Sequence, residues 1–297
     1  MKTFRFSILI LFSICIFSCT VNKQLKQLNL EAQAAYQTND FNAAIIAYDE
    51  IIRIKTESNR EVEGNIYQNA GLAAWEEKQT SKTIDYLEKA KQTSSATAKT
   101  YTTLAKAYLE IDNLSREINN LEDYLEKYPD GEELTQVKAQ LFLAYAKSAN
   151  WEKAEMLWHL LDSKYHSEVK MLSGYMKVNG GLGKEDKMNK LANQLLKMDR
   201  NNTDALETLA LYYYRTAEER YQNEMKAYES NRTNRQYKQL LDALEEINAN
   251  FRTSRDYFER LYKLNPDSRF ASYLGNIYTR FDNKKQADYY YRLAKEK

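Results

Sequence analysis

Proline occurs twice and glycine eight times in 297 residues. So few chain breakers leave little material for tight turns or bulges, and runs of alternating β-branched residues are missing as well. A sheet protein is thereby excluded, and long helices remain. Cysteine is limited to Cys15 and Cys19, and histidine to His159 and His166. The histidines are seven apart, which is not ligand spacing on one helical face, so no metal centre is expected. HExxH, GxSxG and glycine-rich nucleotide fingerprints are all missing. The stretch GGLGKED at 180–186 lacks both the spacer and the following Ser or Thr of a phosphate loop, and reads as a turn. The formal net charge is only +1, so bulk attraction to nucleic acid is also missing. Carboxylate pairs such as Glu76–Glu77 and Glu245–Glu246 read as solvated helix faces. Neither catalytic residues nor a cofactor are expected.

What is present begins with a short basic start, Met1, Lys2 and Arg5, followed by FSILILFSICIF at 6–17. Twelve uncharged residues match a secretory apolar core and fall short of the roughly 20 needed to span a bilayer. Ile16, Phe17 and Ser18 then precede Cys19, and polar residues follow. This arrangement resembles the bacterial lipoprotein signal. The resemblance implies that 1–18 is a removable signal, that Cys19 is acylated, and that 19–27 is a short lipidated linker. Loss of Lys2 and Arg5 would lower the formal charge of +1 by two. Only Lys23 and Lys26 lie near the anchor, so the lipid rather than a basic patch would hold the chain to a membrane.

From Leu28 onward, segments of similar pattern recur: 66–90, 100–129 and 270–297. Each carries an apolar first helix with a small residue at its centre, a polar turn, and a second amphipathic helix. The residues are Tyr67, Ala70, Gly71, Ala74, Leu87 and Ala90; Tyr101, Leu104, Ala105, Tyr108 and Leu121; and Leu274, Gly275, Tyr278, Ala287, Tyr291 and Ala294. Further units show Phe41, Ala44, Tyr48 and Ile51, and Trp151, Ala154, Trp158 and Leu161. Pro129 and Pro266 both stand where a second helix must stop. The pattern resembles the tetratricopeptide repeat, a helix–turn–helix of about 34 residues. The resemblance implies an all-α solenoid of about seven helix pairs over 28–297. Phe142, Met176, Glu117 and Met188 occupy positions that the family keeps small, so splayed or shifted pairs are expected from about Leu134 to Asp199.

The sixth unit carries an insertion, 217–248. Ala217, Tyr221, Met225 and Tyr228 share one helical face; Tyr237, Leu240, Leu241, Leu244, Ile247 and Phe251 share another, around a polar ESNRTNR turn at 229–235. An antiparallel helical hairpin follows, either projecting or folded back over the solenoid.

The resemblance also implies a groove lined by the first helices. The family's groove positions fall on Tyr36, Asn65, Gln68, Leu72, Trp75, Lys99, Lys106, Leu109, Lys170, Lys177 and Tyr214. Their chemistry suits an extended acidic segment with an apolar anchor. The Lys and Asn pair with which the family clamps a terminal carboxylate is not found within any one unit. Tyr290 and Leu293 are expected to face outward at the C-terminal end and to meet either a second copy or a heterologous partner. The function implied is a lipid-anchored scaffold or adaptor binding envelope proteins, on the periplasmic face of a bacterial outer membrane or the outer face of a cell membrane. A subunit of an outer-membrane protein assembly or secretion machine, and a glycan or small-ligand binding lipoprotein, are the alternatives.

Overall fold

The computed structural model describes the backbone of residues 2–295 and the side chains of residues 20–295. Cys19 and its expected acylation therefore lie outside the described side chains. Among the described residues the chain forms fourteen α-helices, one 3-10 turn and no strand. They follow in sequence as seven pairs: α1 (Lys2–Gln37) with α2 (Phe41–Glu57), α3 (Gly64–Glu76) with α4 (Thr80–Lys91), and α5 (Ala98–Glu110) with α6 (Leu114–Lys127). α7 (Leu134–Lys147) and α8 (Trp151–Trp158) come next, then α9 (Val169–Gly181) with α10 (Glu185–Met198). α11 (Thr203–Ser230), α12 (Asn234–Leu264), α13 (Ser268–Arg280) and α14 (Lys284–Lys295) complete the set. The expected all-α repeat of tetratricopeptide-type pairs is what the chain forms. It divides into two compact units, residues 1–144 and 145–297.

The turn inside a pair is built from two residues of fixed role. Asn39, Lys78, Asp112, Ala149, Gly183 and Asp282 all take φ from +53 to +71, the left-handed conformation that ends a helix. The residue after each donates its N–H back to the first helix: Asp40 to the Ala35 carbonyl (2.9 Å), Gln79 to Ala74 (2.9 Å), Asn113 to Tyr108 (2.8 Å), Asn150 to Tyr145 (2.9 Å), Lys184 to Asn179 (2.8 Å) and Asn283 to Tyr278 (2.9 Å). That residue then begins the second helix, and Asp40, Asn113 and Asn283 cap it by accepting from Ala43, Arg116 and Gln286. The 180–186 stretch is thus the turn that the sequence indicates, with Gly183 at φ +71.

Small residues in the first helices let the second helices close in. A Cβ on Gly71 would lie 2.6 Å from Leu87 Cδ2, and one on Gly275 the same distance from the Tyr291 ring. In the fifth pair the contact moves one turn along: Met176 is buried, and Gly180 takes the approach of Met188. In the fifth pair the expected shift is therefore taken up by a relocated glycine. α8 is the irregular element, ending at Trp158 before a 3-10 turn over Ser163–Ser167. Trp158 is sandwiched there between His166 (4.4 Å) and Tyr175 (4.1 Å).

Two expectations need correction. The segment 19–27 is not a linker, because α1 runs through it, and Leu25 and Leu28 pack on the core formed with Ala44, Ile45 and Tyr48. Apolar side chains spaced for one face make helix cheaper than an extended tether. Tyr290 does not face outward freely: it stacks on Tyr278 (5.6 Å) and meets Tyr262 edge-on (6.0 Å), within the core of the second unit. Leu293 is half-buried.

The insertion is a helical hairpin. No left-handed residue interrupts α11, where Ala217 instead stays helical and fully buried. With 28 residues, α11 is about 42 Å long, against about 20 Å for the 13-residue α13, so the hairpin overhangs by about 22 Å. It projects. Its base is held by the Arg280–Glu218 ion pair (2.6 Å), with the Arg280 guanidinium 4.0 Å over the Tyr221 ring. Its outer part pairs with itself through Tyr228 and Tyr237 (5.7 Å).

Candidate functional site

In each unit the first helices of successive pairs lie side by side, and polar side chains stitch them together. In the first unit, Gln68 of α3 donates to Thr97 (3.0 Å) and accepts from Thr100 of α5 (2.5 Å). Thr102 donates to Glu133 (3.1 Å), and Lys106 pairs with the same carboxylate (3.5 Å). In the second unit, Asp204 of α11 accepts from Ser173 (2.7 Å) and pairs with Lys177 (2.8 Å), both on α9. Glu207 of α11 pairs with Arg269 of α13 (3.7 Å), and Asn276 donates to the Tyr214 hydroxyl (3.4 Å).

These bonds sort the expected groove residues. Asn65, Lys99, Lys106, Leu109, Lys170 and Lys177 are exposed, and Trp75 is half-buried. Gln68 and Leu72, 5% and 7% exposed, are not available to a ligand. Gln68 is consumed by the threonines, and Leu72 joins Leu87, Leu104 and Tyr108 in the core. Tyr36 and Tyr214 are half-buried. Tyr36 packs edge-on against Phe41 (5.5 Å), and Tyr214 against Phe251 (5.7 Å) and Tyr273 (4.9 Å). Burial first, then Glu218, pushes the Tyr214 phenol above its usual range, so it stays a neutral hydroxyl. Of the four groove lysines, Lys106 and Lys177 already have internal carboxylates, which removes half of the positive charge meant for an acidic segment. Lys99 and Lys170 form no ion pair among the described residues.

The second unit holds a cleft that the sequence reading missed. About 430 Å³ opens between α11 and α13, lined by Glu207, Leu211, Arg269, Phe270, Ser272, Tyr273 and Asn276. Leu211 and Tyr273 supply an apolar floor. Arg269 stands at one edge, its guanidinium held by Asp267 (2.9 Å) as well as Glu207. Asp267 in turn sits below the usual carboxylate range because Arg269 bonds to it. The signal was available: Glu207 and Leu211 occupy the repeat positions that Gln68 and Leu72 hold in the second pair, and Ser272 and Asn276 do so in the seventh.

Among the described residues no group of three or more His, Cys, Asp or Glu could hold a metal ion. No helix among them is long and apolar enough to cross a membrane. No protein-family signature matches the chain, and no curated protein is similar enough to be matched. Solved structures do resemble it. A tetratricopeptide repeat protein from Parabacteroides merdae aligns at 13% identity over 92% of this chain and 93% of its own, with a TM-score of 0.47. The C-terminal part of a repeat-containing protein from Cytophaga hutchinsonii aligns at 12% identity over 89% and 92%, with a TM-score of 0.48. A repeat protein from Bacteroides fragilis aligns at 17% identity over 91% and 98%, with a TM-score of 0.37.

Proposed function

We propose that this protein is a lipid-anchored scaffold on the periplasmic face of a bacterial outer membrane, and that it binds an extended segment of an envelope protein in the groove of its second unit. The observation that carries the binding reading is the α11–α13 cleft. It is open, floored by Leu211 and Tyr273, and edged by Arg269 and Asn276, which can meet backbone carbonyls of a bound segment. Its one carboxylate and one guanidinium are already paired, so an apolar anchor side chain suits it better than a run of charge. Stacked helix pairs present such concave surfaces generally. Anchoring is supported by the basic start, the apolar run 6–17 and the Ser18–Cys19 junction.

A photo-crosslinking side chain at position 211, introduced into the full chain in its native envelope, should give a discrete adduct. Leu211→Asp should lower the affinity of that adduct's protein about 10-fold or more, in the range of a well-packed anchor residue. A crosslink from Tyr237 on the hairpin but none from 211 would move the site to the hairpin. Cys19→Ser should leave an unprocessed precursor that takes up no fatty-acid label, and normal maturation of that variant would end the anchoring reading.

A further inference from the structure

Inside each unit, the second helix of one pair lies against both helices of the next. α2 contacts α3 and, through Asp49, reaches Lys82 and Tyr86 of α4 (2.7 Å each). α4 contacts α5 and, through Lys91, reaches Asp123 of α6 (2.6 Å). α12 contacts α13 and, through Tyr262, reaches Tyr290 of α14. One polar rule recurs at three contacts of these joints, and Lys91 on Asp123 runs the opposite way. A carboxylate on the second helix accepts from a base or phenol on the following pair: Asp49 from Lys82 and Tyr86, Glu88 from Tyr108 (2.7 Å), and Glu259 from Tyr278.

The two outer faces reverse this rule. On α14, the residue equivalent to Glu88 is Arg292, since each directly follows the side chain that closes over a first-helix glycine, Leu87 on Gly71 and Tyr291 on Gly275. Arg292 shares its exposed face with Lys285, Asp288, Tyr289 (46% exposed) and Lys295. None of the four charged groups forms an ion pair among the described residues. On the first pair, the residues equivalent to Tyr108, Lys82 and Tyr86 are Ala35, Ala43 and Ala47, judged by their distance from the left-handed residues Asp112, Lys78 and Asn39. With those bulky groups replaced by alanine, an open groove of about 600 Å³ runs between α1 and α2. Leu28, Ala35, Ala43, Ala47 and Ile46 (71% exposed) form its floor, and Glu31 and Glu50 its rim. Gln27 donates to Glu31 (2.9 Å), and Arg53 bonds to Glu50, which holds the Glu50 carboxyl below its usual range.

We propose that the α1–α2 groove of one copy receives α14 of a second copy, in the way that α4 is received by α5 and α6. Tyr289 then enters the space vacated at Ala43 and Ala47 and covers Ile46. Lys295 meets Glu50 as Lys91 meets Asp123, and Arg292 meets Glu31. The Asp49, Glu88 and Glu259 contacts within the chain run acid onto base, whereas the outer faces run base onto acid, as Lys91 on Asp123 does, so each outer face is complementary to the other. A head-to-tail contact of this kind does not close on itself as a two-fold dimer would, and it yields rings or chains of copies.

The test is sedimentation of the full chain in detergent between about 1 and about 100 μM. Mass should rise with concentration and fall with added salt. The pair Arg292→Glu with Lys295→Glu, and separately Glu31→Lys with Glu50→Lys, should each weaken association about 10-fold or more. Mixing the two variants should restore it, since each carries the intact face that the other lacks and the two altered faces also match. That restoration shows both variants to be folded. Ala47→Trp, which fills the groove without changing charge, should weaken association as well. A single species at all concentrations would overturn the proposal, as would variants that leave the mass unchanged or a mixture that fails to restore it. Ile46→Asp that lowers binding to phosphatidylglycerol–phosphatidylethanolamine vesicles while leaving the mass unchanged would show instead that a membrane covers the groove.

Discussion

Gly71 is a helical glycine that costs its helix about 1 kcal/mol relative to alanine. It is retained because Leu87, fully buried, lies where a Cβ would go, with the Leu87 backbone nitrogen only 3.2 Å from that point. Gly71→Ala should therefore lower unfolding free energy, the overpacking of about 1–3 kcal/mol outweighing the helix gain. Gly180→Ala is the control. The atom nearest its added methyl is the thioether of Met188, the flexible end of a long side chain, so denaturant midpoints should stay level or rise. Tyr108 offers a second residue-scale test. Burial first, and then its bond to Glu88, push its phenol up to about 12 from an ordinary value near 10. Burial also raises Tyr86 and Tyr278, which donate to Asp49 and Glu259. The folded chain thus holds these protons more tightly than the unfolded one. Their stabilisation is complete below about pH 10 and is lost as pH climbs through the folded values. Urea midpoints should fall from pH 9.5 to pH 12, and Tyr108→Phe should make that fall shallower.

At the scale of the element, the turn between paired helices is the most repeated device in the molecule. Only Gly183 among its six left-handed residues is glycine. Ala149 (φ 58) and Lys78 (φ 56) hold a conformation that costs an L-residue about 1–2 kcal/mol. Ala149→Gly and Lys78→Gly should each raise stability by about 0.5–1 kcal/mol, after allowing for glycine's larger unfolded-state entropy. Gly183→Ala should do the reverse, although nothing lies within 4 Å of its Cβ position. Sequence shows these turns clearly where Asn or Asp stands in them, as at Asn39–Asp40, Asp112–Asn113 and Asp282–Asn283. It shows them poorly at Lys78–Gln79, where the backbone conformation is set by the backbone bond to Ala74 and by packing of the helices on either side.

For the molecule as a whole, the hairpin decides which surfaces are independent of the core. Its outer part, 224–241, contacts its own opposite arm, whereas Glu218, Tyr221 and Ile247 at its base belong to the same packing as α13. Replacing 224–241 by a short turn should leave the melting temperature of the second unit within a few degrees. Replacing 217–248 should lower it by about 5 °C or more, because the Arg280 contacts and the buried Ile247 go with it. Calorimetry of the two deletions separates a detachable arm from a structural one.

Helical class, the pairing of helices, the stops at Pro129 and Pro266, and the 217–248 hairpin were all legible in the sequence. Each follows from local periodicity or from the scarcity of chain breakers, which act within a turn or two of the residue concerned. The availability of groove residues was decided only by tertiary structure. Gln68 and Lys177 look like ligand-facing polar groups until α5 brings Thr97 and Thr100 to the one and α11 brings Asp204 to the other. Tyr290 looked free until α12 placed Tyr262 against it. The opposite polarity of the two outer faces, with alanines where the internal joints carry Lys and Tyr, depends in the same way on which helix lies against which. Hydrogen-bond and ion-pair partners here are about 30 residues apart, one whole repeat, and a side chain's spacing along its own helix does not reveal who stands across from it.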